Sequence, residues 1–298
     1  MPELPEIETI VRQMSHEFTG QIITNIQIFN EKSIKLITPS IYIDDLKNRK
    51  IKEITRKGKF IVVSLEIPDS NISNINLPTP EPSVIINKKN VFYDTLYFHL
   101  GMTGSMRIYP DSIVPPIKHI KIVLNLNNNN LLIFTDPRGF GFTTLSNHCI
   151  SNSNNSYLPK KGFNPLTISA VALKKLTMGQ KGLLKAWLLN QKYLSGLGNI
   201  YVDESLWKAK LSPKRITKTL SIYDCEELTK AMKEVLSQAI THHGSSIRDF
   251  VDLYGNRGTH QNYLFAYGNK GRCVRCFHDM TYARLAERGT YFCEFCQQ

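Results

Sequence analysis

Residues 118–135, KHIKIVLNLNNNNLLIFT, decide the fold class of the first half of the chain. Apolar residues occupy every second position from Ile120 to Leu126, with Lys121 and Asn125 among the residues between them. A period of two is typical of a β-strand that buries one face. A run of asparagines at 127–130 separates this strand from the apolar stretch LLIFT, so the pattern predicts a β-hairpin.

Further β-rich stretches lie on both sides of this hairpin. GQIITNIQIFN and KFIVVSLEI are rich in β-branched and aromatic residues, which fit a pleated, half-buried surface. Strands are therefore expected near residues 22–29, 51–67, 95–109 and 118–144. Together they favour a β-sandwich.

The chain begins with a predicted helix rather than a strand. Residues 5–18 carry one apolar stripe at helical spacing, made of Ile7, Ile10, Val11, Met14 and Phe18. Glutamates crowd its start, where the helix dipole favours negative charge, and Gly20 follows its end. The sandwich is thus expected to carry a leading helix.

Helical periodicity replaces the strand pattern in the second half of the chain. ISAVALKKL, KGLLKAWLLN and NIYVDESLWKAKL follow one another with short turns. A longer helix is expected after Ser221, which forms a capping-box signature with Asp224. Residues 163–250 therefore predict a helical bundle, and the whole chain belongs to the α+β class.

Two polar stretches mark places where the chain leaves its regular elements. Residues 69–94 are rich in Asn, Pro and Ser, which predicts a surface insertion between two strands. SNSNNSYLPKKG at 151–162 is typical of a linker between domains.

The composition indicates a polyanionic partner. The 298 residues carry a formal net charge of +12, so either a nucleic acid or an anionic membrane surface would fit. No run of 18 apolar residues exists and no basic amphipathic helix dominates, which disfavours a membrane. The acidic start lacks the features of a signal peptide, so a cytoplasmic protein is expected.

Four of the six cysteines form a pattern typical of zinc. Cys273, Cys276, Cys293 and Cys296 follow the spacing C-x2-C-x16-C-x2-C, which predicts one tetrahedral, structural Zn²⁺ site. Two disulfides are one alternative, which a cytosolic setting disfavours. A redox pair is the other, and the presence of two paired CxxC units argues against it.

The other cysteines and the residues between the zinc-type pairs have plainer interpretations. Cys149 and Cys225 are expected to be ordinary thiols. The residues between the two pairs predict a hairpin. Its Arg284 and Arg288 are candidates to contact a phosphate, and a solvated charged face is the alternative.

Three glycine-rich motifs carry side chains suited to DNA. LSGLGNIY, at 194–201, leads into a helix start whose N–H groups suit a phosphate, although tight helix packing also needs such glycines. HLGMTGSM and TDPRGFGF would present Met102, Arg138 and Phe140 at turn tips. Such residues can fill the space of an extruded base. Partly buried hydrophobic residues at ordinary turns are the alternative.

Taken together, these motifs resemble the bacterial formamidopyrimidine-DNA glycosylase family (Fpg/MutM), within the Fpg/Nei superfamily. The resemblance spans nearly the whole chain in order. It is carried by PELPEIET at 2–9, RKGKF at 56–60, HLGMTGSM, TDPRGFG, GLGNIY, AYGNKGRC at 266–273 and the four cysteines.

The resemblance implies a domain organisation. Residues 1–150 would form an N-terminal β-sandwich catalytic domain with the insertion at 69–94, and 151–162 would be the linker. Residues 163–268 would form a helix-two-turn-helix DNA-binding domain whose loop at 254–268 covers the lesion. Residues 269–298 would form the zinc finger.

The resemblance also implies an activity in base excision repair. The protein would excise oxidised purines, such as 8-oxoguanine and formamidopyrimidines, and then cleave the abasic site by β,δ-elimination. Its partner would be double-stranded DNA with oxidised bases or abasic sites, bound by a monomer that associates with the nucleoid. Two alternatives are a Nei-type glycosylase for oxidised pyrimidines and a non-catalytic zinc-finger protein that binds damaged DNA.

Three residues are candidates for the chemistry. Removal of Met1 would leave Pro2 with a free secondary amine, and an α-amine has a pKa near ~8, so a useful fraction is neutral at pH 7. Glu3 would act as the general acid on the sugar ring oxygen, its alternative being plain charge at the helix start. Lys59 would bind the phosphate that flanks the lesion and assist δ-elimination, its alternative being an exposed lysine at a strand edge.

Other candidates come from the same resemblance. His99, Asn199, Tyr267 and Arg288 match positions that contact the DNA backbone, and Lys181 matches loosely. Met102, Arg138 and Phe140 would fill the void left by the flipped nucleotide. Glu6 is expected either to cap the leading helix or to contact the lesion.

One departure from the family pattern stands out. The usual motif is TDPRRFG, and position 139 here is glycine. We expect altered loop detail and one lost DNA contact rather than lost function. The start PELPE, together with Met102, Arg138 and Phe140, favours the purine-directed branch.

Overall fold

The computed structural model describes residues 2–66, 94–112, 117–146, 157–159 and 162–298. The insertion at 69–94, except for Asp94, lies outside the described residues, as does most of the linker at 151–162. Cys149 lies outside them as well. Within the described ranges, no helix is long and apolar enough to cross a membrane.

Two four-stranded antiparallel sheets form the first half of the molecule. One sheet has the strand order β1-β6-β7-β5 and the other has the order β2-β3-β4-β8. Buried residues of both sheets belong to one apolar core, so the predicted β-sandwich is confirmed. The strands are β1 Ile23–Ile28, β2 Ile51–Lys57, β3 Phe60–Leu65, β4 Thr95–His99, β5 Ser105–Pro110, β6 Ile120–Leu126, β7 Asn130–Thr135 and β8 Phe142–Ser146.

The hairpin of β6 and β7 lies at the centre of its sheet. Ile122 faces Phe134 and Leu124 faces Leu132 across the pair, as the alternation in the sequence predicts. The opposite face of β6 is less polar than the alternation alone implies. Val123 packs there in a small second cluster with Leu131 and Ile133.

Helix α1, Leu4–Phe18, leads the chain as predicted. Proline at its first turn suits the start of a helix, because that residue has no N–H to leave unpaired. Glu6 Oε2 accepts the Glu3 backbone N–H at 2.8 Å, which satisfies another free donor of this end. The apolar stripe from Ile7 to Phe18 is buried in the sandwich core. The helix therefore fixes the N-terminus of the protein against the sandwich.

A short second helix was absent from the predicted elements. Helix α2, Pro39–Leu46, has Thr38 at its N-cap, and the Thr38 hydroxyl accepts the Ile41 N–H at 3.4 Å. It buries only Tyr42 and Leu46 fully. Two turns with so few buried positions are too short for a periodic pattern to stand out.

Four helices make up the helical half. They are α3 Ala170–Thr177, α4 Leu184–Leu188, α5 Asn199–Lys208 and α6 Ile222–Thr241. The capping box predicted at Ser221 and Asp224 is present at the start of α6. Their buried faces form a second apolar core.

Each half contributes one leucine to the core of the other. Leu4, at the start of α1, is fully buried among the helices of the second core. Leu253, which follows α6, is fully buried in the sandwich core. The chain thus crosses between the halves at both places, and these crossings bring the N-terminus close to the loop after α6.

Candidate functional site

A cleft of about 310 Å³ opens where the two halves meet. Pro2 and Glu3 lie in its wall, and both are buried. Loops of the sandwich, the start of α5 and the chain after α6 complete it. The residues that line the cleft are Pro2, Glu3, Met102, Thr103, Gly104, Arg138, Asn199, Ile200, Ser245, Ile247, Arg248, Asp249, Phe250, Tyr267 and Arg288.

The cleft is lined by seven of the residues predicted for catalysis, DNA contact or void filling. Lys59, His99, Phe140 and Glu6 lie outside its lining. Lys181 is exposed and also lies outside it.

Glu3 points at the start of helix α5. Its Oε1 accepts the Ile200 N–H at 3.2 Å, so the carboxylate satisfies a free donor of that helix. The approach requires glycine at position 198, because a Cβ there would lie 2.3 Å from Glu3 Cδ. Burial raises the pKa of Glu3, against the opposing effect of the Lys59 charge. The carboxyl group therefore keeps its proton to higher pH than an exposed glutamate does.

Lys59 lies in the tight turn that joins β2 to β3. Its side chain is only 8 % exposed, although it stands at a turn. Burial lowers the pKa of Lys59, while the charges of Glu3 and Glu6 act in the opposite direction. The Lys59 amine is thus held near the carboxyl groups of the N-terminal helix.

Glu6 lies in the first turn of α1, and its side chain is buried. Its Oε1 accepts the Tyr201 hydroxyl and the Ser245 N–H, the latter at 2.7 Å. Burial and then the neighbouring Glu3 raise the pKa of Glu6. Glu6 caps α1, which is one of the two roles expected for it, and it ties α5 and the chain after α6 to the N-terminus.

The His99 ring is held by two aromatic neighbours and by one hydrogen bond to its Nδ1. The ring lies against Phe60 and stacks on Phe142, with centroids 4.8 Å and 5.2 Å away. Its Nδ1 accepts the Gly101 N–H at 3.2 Å. Burial, followed by the Lys59 charge, lowers the pKa of His99 to about 4. The ring is therefore neutral at pH 7, and with Nδ1 as acceptor its Nε2 carries the proton.

A buried ion pair fixes the hairpin that carries Arg288. Lys185 Nζ lies 2.6 Å from Asp203 Oδ1, and both side chains are fully buried. The Gly289 carbonyl accepts from Lys185 Nζ at 3.3 Å and from Asn199 Nδ2 at 3.0 Å. Helices α4 and α5 thereby hold the residue next to Arg288. This pair was not predicted from the sequence, because its partners are 18 positions apart on different helices.

The Asp203→Asn variant is expected to lose about 3–5 kcal/mol of unfolding free energy, because it leaves the Lys185 ammonium buried without a counter-charge. Urea unfolding monitored by circular dichroism measures this loss. Glu66→Gln is the matched control: it breaks the pair with Lys50 at 2.8 Å, in which both side chains are 46 % exposed. That variant is expected to lose about 1 kcal/mol at most. Equal losses for both variants would contradict the assignment.

The two loops that carry Met102 and Arg138 are tied together by Asp136. This carboxylate is fully buried and accepts the Thr103 hydroxyl and the Gly141 N–H, each at 2.6 Å. Asp136 was not among the residues predicted for the site. Met102 is 38 % exposed, so its side chain projects from a well-held loop.

Arg138, Gly139 and Phe140 form an exposed tip. The Arg138 guanidinium lies 5.1 Å from the centroid of the Phe140 ring. Gly139 has a φ of +71°, in the left-handed region, and nothing lies within 4 Å of the position of a Cβ. Glycine relieves the strain that a side chain would carry there. The structure thus gives a backbone reason for the glycine, and this tip carries one positive charge less than the usual motif.

The chain after α6 lines the cleft with residues that the sequence did not predict. They are Ser245, Ile247, Arg248, Asp249 and Phe250, and we name residues 245–250 the cleft loop. Of the predicted lid at 254–268, Tyr267 also lines the cleft, and the lid itself stays a prediction. The only local signal for the cleft loop was Gly244, which marks the end of a helix in the sequence.

Tyr267 itself is held from helix α5. The buried Glu204 carboxylate accepts the backbone N–H groups of Phe265, Ala266 and Tyr267, at 3.0, 2.8 and 2.7 Å. This contact fixes the backbone just before the finger.

The four predicted zinc ligands converge at the end of the chain. Their sulfur atoms all lie within 4.8 Å of one another, with 3.4 Å between Cys276 and Cys293 and 3.9 Å between Cys273 and Cys296. Four thiolates around Zn²⁺ at about 2.3 Å would be about 3.8 Å apart, whereas a disulfide needs about 2.05 Å. The donor set therefore fits one tetrahedral zinc. Strands β9, Thr281–Leu285, and β10, Arg288–Phe292, form the predicted hairpin between the pairs.

Fold and site together define a class: a two-part α+β protein with an arginine-lined cleft and a cysteine finger suited to zinc. Two family models agree with this. The formamidopyrimidine-DNA glycosylase N-terminal domain matches residues 1–143, and the formamidopyrimidine-DNA glycosylase H2TH domain matches residues 162–251. The chain belongs to the formamidopyrimidine-DNA glycosylase family, as its motifs indicate.

Individual relatives match over the full length. The formamidopyrimidine-DNA glycosylase of Desulforamulus reducens is 33 % identical over 305 residues, which covers 100 % of this chain and 99 % of that protein. A Lactococcus lactis FPG mutant, solved in complex with DNA containing Fapy-dG, has a TM-score of 0.81 at 30 % identity and covers 100 % of both chains. The Lactococcus lactis Fpg in complex with DNA containing an abasic site has a TM-score of 0.80 at 30 % identity, covering 99 % of each.

Proposed function

We propose that this protein is a bifunctional DNA glycosylase and abasic-site lyase of base excision repair, which excises oxidised purines such as formamidopyrimidines and 8-oxoguanine. One observation carries the proposal. Pro2 and Glu3 lie together in the wall of a cleft that Met102, Arg138 and Arg288 also line. Family membership over the full length supports the same activity.

Pro2 is the nucleophile once Met1 has been removed. Its ring nitrogen bonds to the deoxyribose C1′, and the glycosidic bond breaks so that its electron pair leaves with the damaged base. The sugar ring then opens at the C1′–O4′ bond, which leaves an iminium ion between Pro2 and C1′. This ion acidifies the C2′ proton. Loss of that proton expels the 3′ phosphate, and a second elimination expels the 5′ phosphate. The α-amine suits the first step because its pKa, near ~8, leaves part of it neutral at pH 7.

Glu3 supplies the proton that this sequence needs. Sugar ring opening develops negative charge on O4′, and a protonated carboxyl group beside Pro2 can donate to it. Burial raises the pKa of Glu3, so the carboxyl group keeps that proton to higher pH than an exposed glutamate does. Lys59, buried near Glu3, supplies positive charge for the flanking phosphate as the strand is cut.

The damaged nucleotide must leave the duplex to reach Pro2, which costs a few kcal/mol. Met102, Arg138 and Phe140 project from exposed loop tips and fill the vacated space. Asn199, Tyr267 and Arg288 hold backbone phosphates from the opposite wall. Neutral His99 donates from Nε2 to another phosphate.

Zinc has a structural role in this proposal. The four cysteines would hold one Zn²⁺ with every coordination position taken by thiolate, which leaves no open position for substrate. The ion would fix the hairpin that carries Arg288. The protein would act as a monomer in the cytoplasm, on the DNA of the nucleoid.

Covalent trapping tests the proposal. Borohydride reduces the iminium, so the wild-type protein incubated with an 8-oxoguanine:C duplex is expected to give a stable protein–DNA adduct. An undamaged duplex of the same sequence is the control. The double variant Pro2→Gly plus Glu3→Gln is expected to lose the adduct. No adduct with wild type, or an undiminished one with the double variant, would reject the mechanism.

Comparing substrates separates the purine-directed activity from its pyrimidine-directed alternative. Excision from the 8-oxoguanine:C duplex is expected to exceed excision from a thymine-glycol duplex. The reverse order would assign the protein to the Nei type. Mass spectrometry that shows Met1 fully retained on active protein would exclude Pro2 as the nucleophile.

Arg288→Ala is expected to weaken binding to every duplex sequence, since a phosphate contact reads no base. The slope of log K against log salt is expected to flatten by about one unit. Arg284 on the paired strand is the matched control, because it is exposed on the same hairpin but does not line the cleft. Titrations at several salt concentrations measure both. An unchanged slope for Arg288→Ala would remove it from the phosphate contacts.

A further inference from the structure

The cleft loop is tied to helix α1 on both sides. At the first residue of the loop, the Ser245 N–H donates to Glu6 Oε1 at 2.7 Å. Beyond the loop, the Gln13 amide makes a paired contact. Its Nε2 donates to Asp252 Oδ2 at 2.8 Å, and its Oε1 accepts the Leu253 N–H at 2.9 Å. Glu6 and Gln13 are seven positions apart, so they lie on one face of the helix, about two turns from each other.

The second tie lies in a well-buried place. Asp252 is 3 % exposed, and its other oxygen accepts the N–H groups of Tyr254 at 3.1 Å and Asn256 at 2.8 Å. Leu253 is fully buried in the sandwich core, and its carbonyl accepts the Ile108 N–H of β5 at 3.1 Å. Asp252 and Leu253, which follow the cleft loop, are therefore held in place by hydrogen bonds, and Gln13 makes two of them.

Helix α1 therefore links the reacting end of the protein to the loop across the cleft. Pro2 precedes its first turn, and the two ties leave from the same helix. We propose that Gln13, through Asp252 and Leu253, is a positioning residue for base excision: it sets the distance between Pro2 and the cleft loop. This inference rests on the proposed function.

The chemistry predicts which step depends on Gln13. A flipped damaged base enters the cleft, and the cleft loop is the part that would face it. An abasic site carries no base, so its cleavage needs Pro2, Glu3 and the phosphate contacts but not the loop. A displaced loop therefore slows base excision and leaves abasic-site cleavage intact.

A polarity exchange tests this dependence. Gln13→Glu sets a carboxylate against Asp252 at a hydrogen-bond distance, and Asp252→Asn sets an amide against the Gln13 amide. Each single variant is expected to lower kcat for excision of 8-oxoguanine by roughly tenfold or more, since misplacement of about 1 Å can cost 10²-fold. In the double variant, the new amide at position 252 donates to the new carboxylate at position 13, which still accepts the Leu253 N–H. Its kcat is expected to return to within about threefold of wild type.

Abasic-site cleavage and borohydride trapping on a duplex with a preformed abasic site provide the second readout. Both are expected to stay within about twofold of wild type in all three variants. Tyr254→Phe is the matched control. It removes an exposed hydrogen bond to Glu17, at 2.7 Å, from the residue that follows Leu253, and it is expected to leave excision unchanged.

The outcomes are distinct. Wild-type excision in both single variants would overturn the proposal, and so would a proportional loss of both activities that the double variant does not restore. Failure of the wild-type protein to form a trapped adduct would instead overturn the proposed function. Thermal unfolding of each variant confirms that the protein compared is folded.

Discussion

The Glu3→Gln variant is expected to excise 8-oxoguanine about 10²–10⁴-fold more slowly than wild type, the range that a positioned general acid contributes. The amide keeps the shape of the side chain, and its oxygen can still accept the Ile200 N–H. It cannot release a proton to O4′. Affinity for the damaged duplex is expected to stay the same, because Glu3 contacts the helix start rather than a phosphate.

Single-turnover kinetics on an 8-oxoguanine:C duplex measure the excision rate, and fluorescence anisotropy measures binding. Glu53→Gln is the matched control, since Glu53 is exposed on β2 and does not line the cleft. A Glu3→Gln variant that excises within tenfold of wild type would show that the proton comes from another group.

The pH profile gives the same assignment a second check. A general acid works only while protonated, and burial raises the pKa of Glu3 above its ordinary value. Excision by wild type is therefore expected to persist above the ordinary titration range of a glutamate and to fall as the pH rises through the raised pKa. The alkaline fall is expected to disappear in Glu3→Gln. An identical profile in the variant would contradict the role.

Removal of zinc is expected to abolish measurable specific binding to damaged DNA. Structural zinc sites contribute about 10–16 kcal/mol at pH 7 in small fingers, far more than the residues of a short hairpin recover without the ion. Arg288 stands at the start of β10, inside the finger. Loss of the finger removes that arginine from the cleft.

Zinc content, folding and binding can be measured on the same sample. One zinc per chain is expected on release with a thiol-modifying reagent. Trp207 reports on the finger, because it packs in one cluster with Cys273 and Cys293 and stacks on Phe265 at 4.8 Å. Its fluorescence is therefore expected to change as a chelator removes the ion.

Cys225→Ala is the matched control for the ligand variant Cys276→Ser. Cys225 is buried in the helical core and belongs to no cluster of metal-binding residues within the described ranges. It is expected to keep both zinc and DNA affinity, while Cys276→Ser loses them. Full affinity in a zinc-free protein would refute the structural role of the ion.

Local patterns in the sequence account for most of the fold. The alternation before the asparagine run, the apolar stripe of α1 and the capping box at Ser221 each depend on neighbours within a few residues. The spacing within each cysteine pair is also a local signal, because the two residues of a pair lie on one turn. Helix α2 escaped prediction since only Tyr42 and Leu46 mark its buried side.

The site was predictable only as far as motifs reach. Pro2, Glu3 and Arg288 lie in motifs or in the finger, and all three line the cleft. The contacts that position them were not predictable. Lys185 pairs with Asp203, and Gln13 reaches Asp252 across 239 positions, so no local period marks either pair. The cleft loop was not predicted either, because no local period in the sequence marks it.

Leu4 is buried in the helical core and Leu253 in the sandwich core, so the unfolding of the two halves is expected to be coupled. If the linker were cut and the halves expressed separately, each fragment would expose an apolar side chain and keep a leucine-sized hole. Filling such a hole is worth about 2–5 kcal/mol, a large part of the stability of an ordinary domain. Neither fragment is then expected to be stable alone. The two would reassociate when mixed, and heating the intact polypeptide would melt both halves in one cooperative transition.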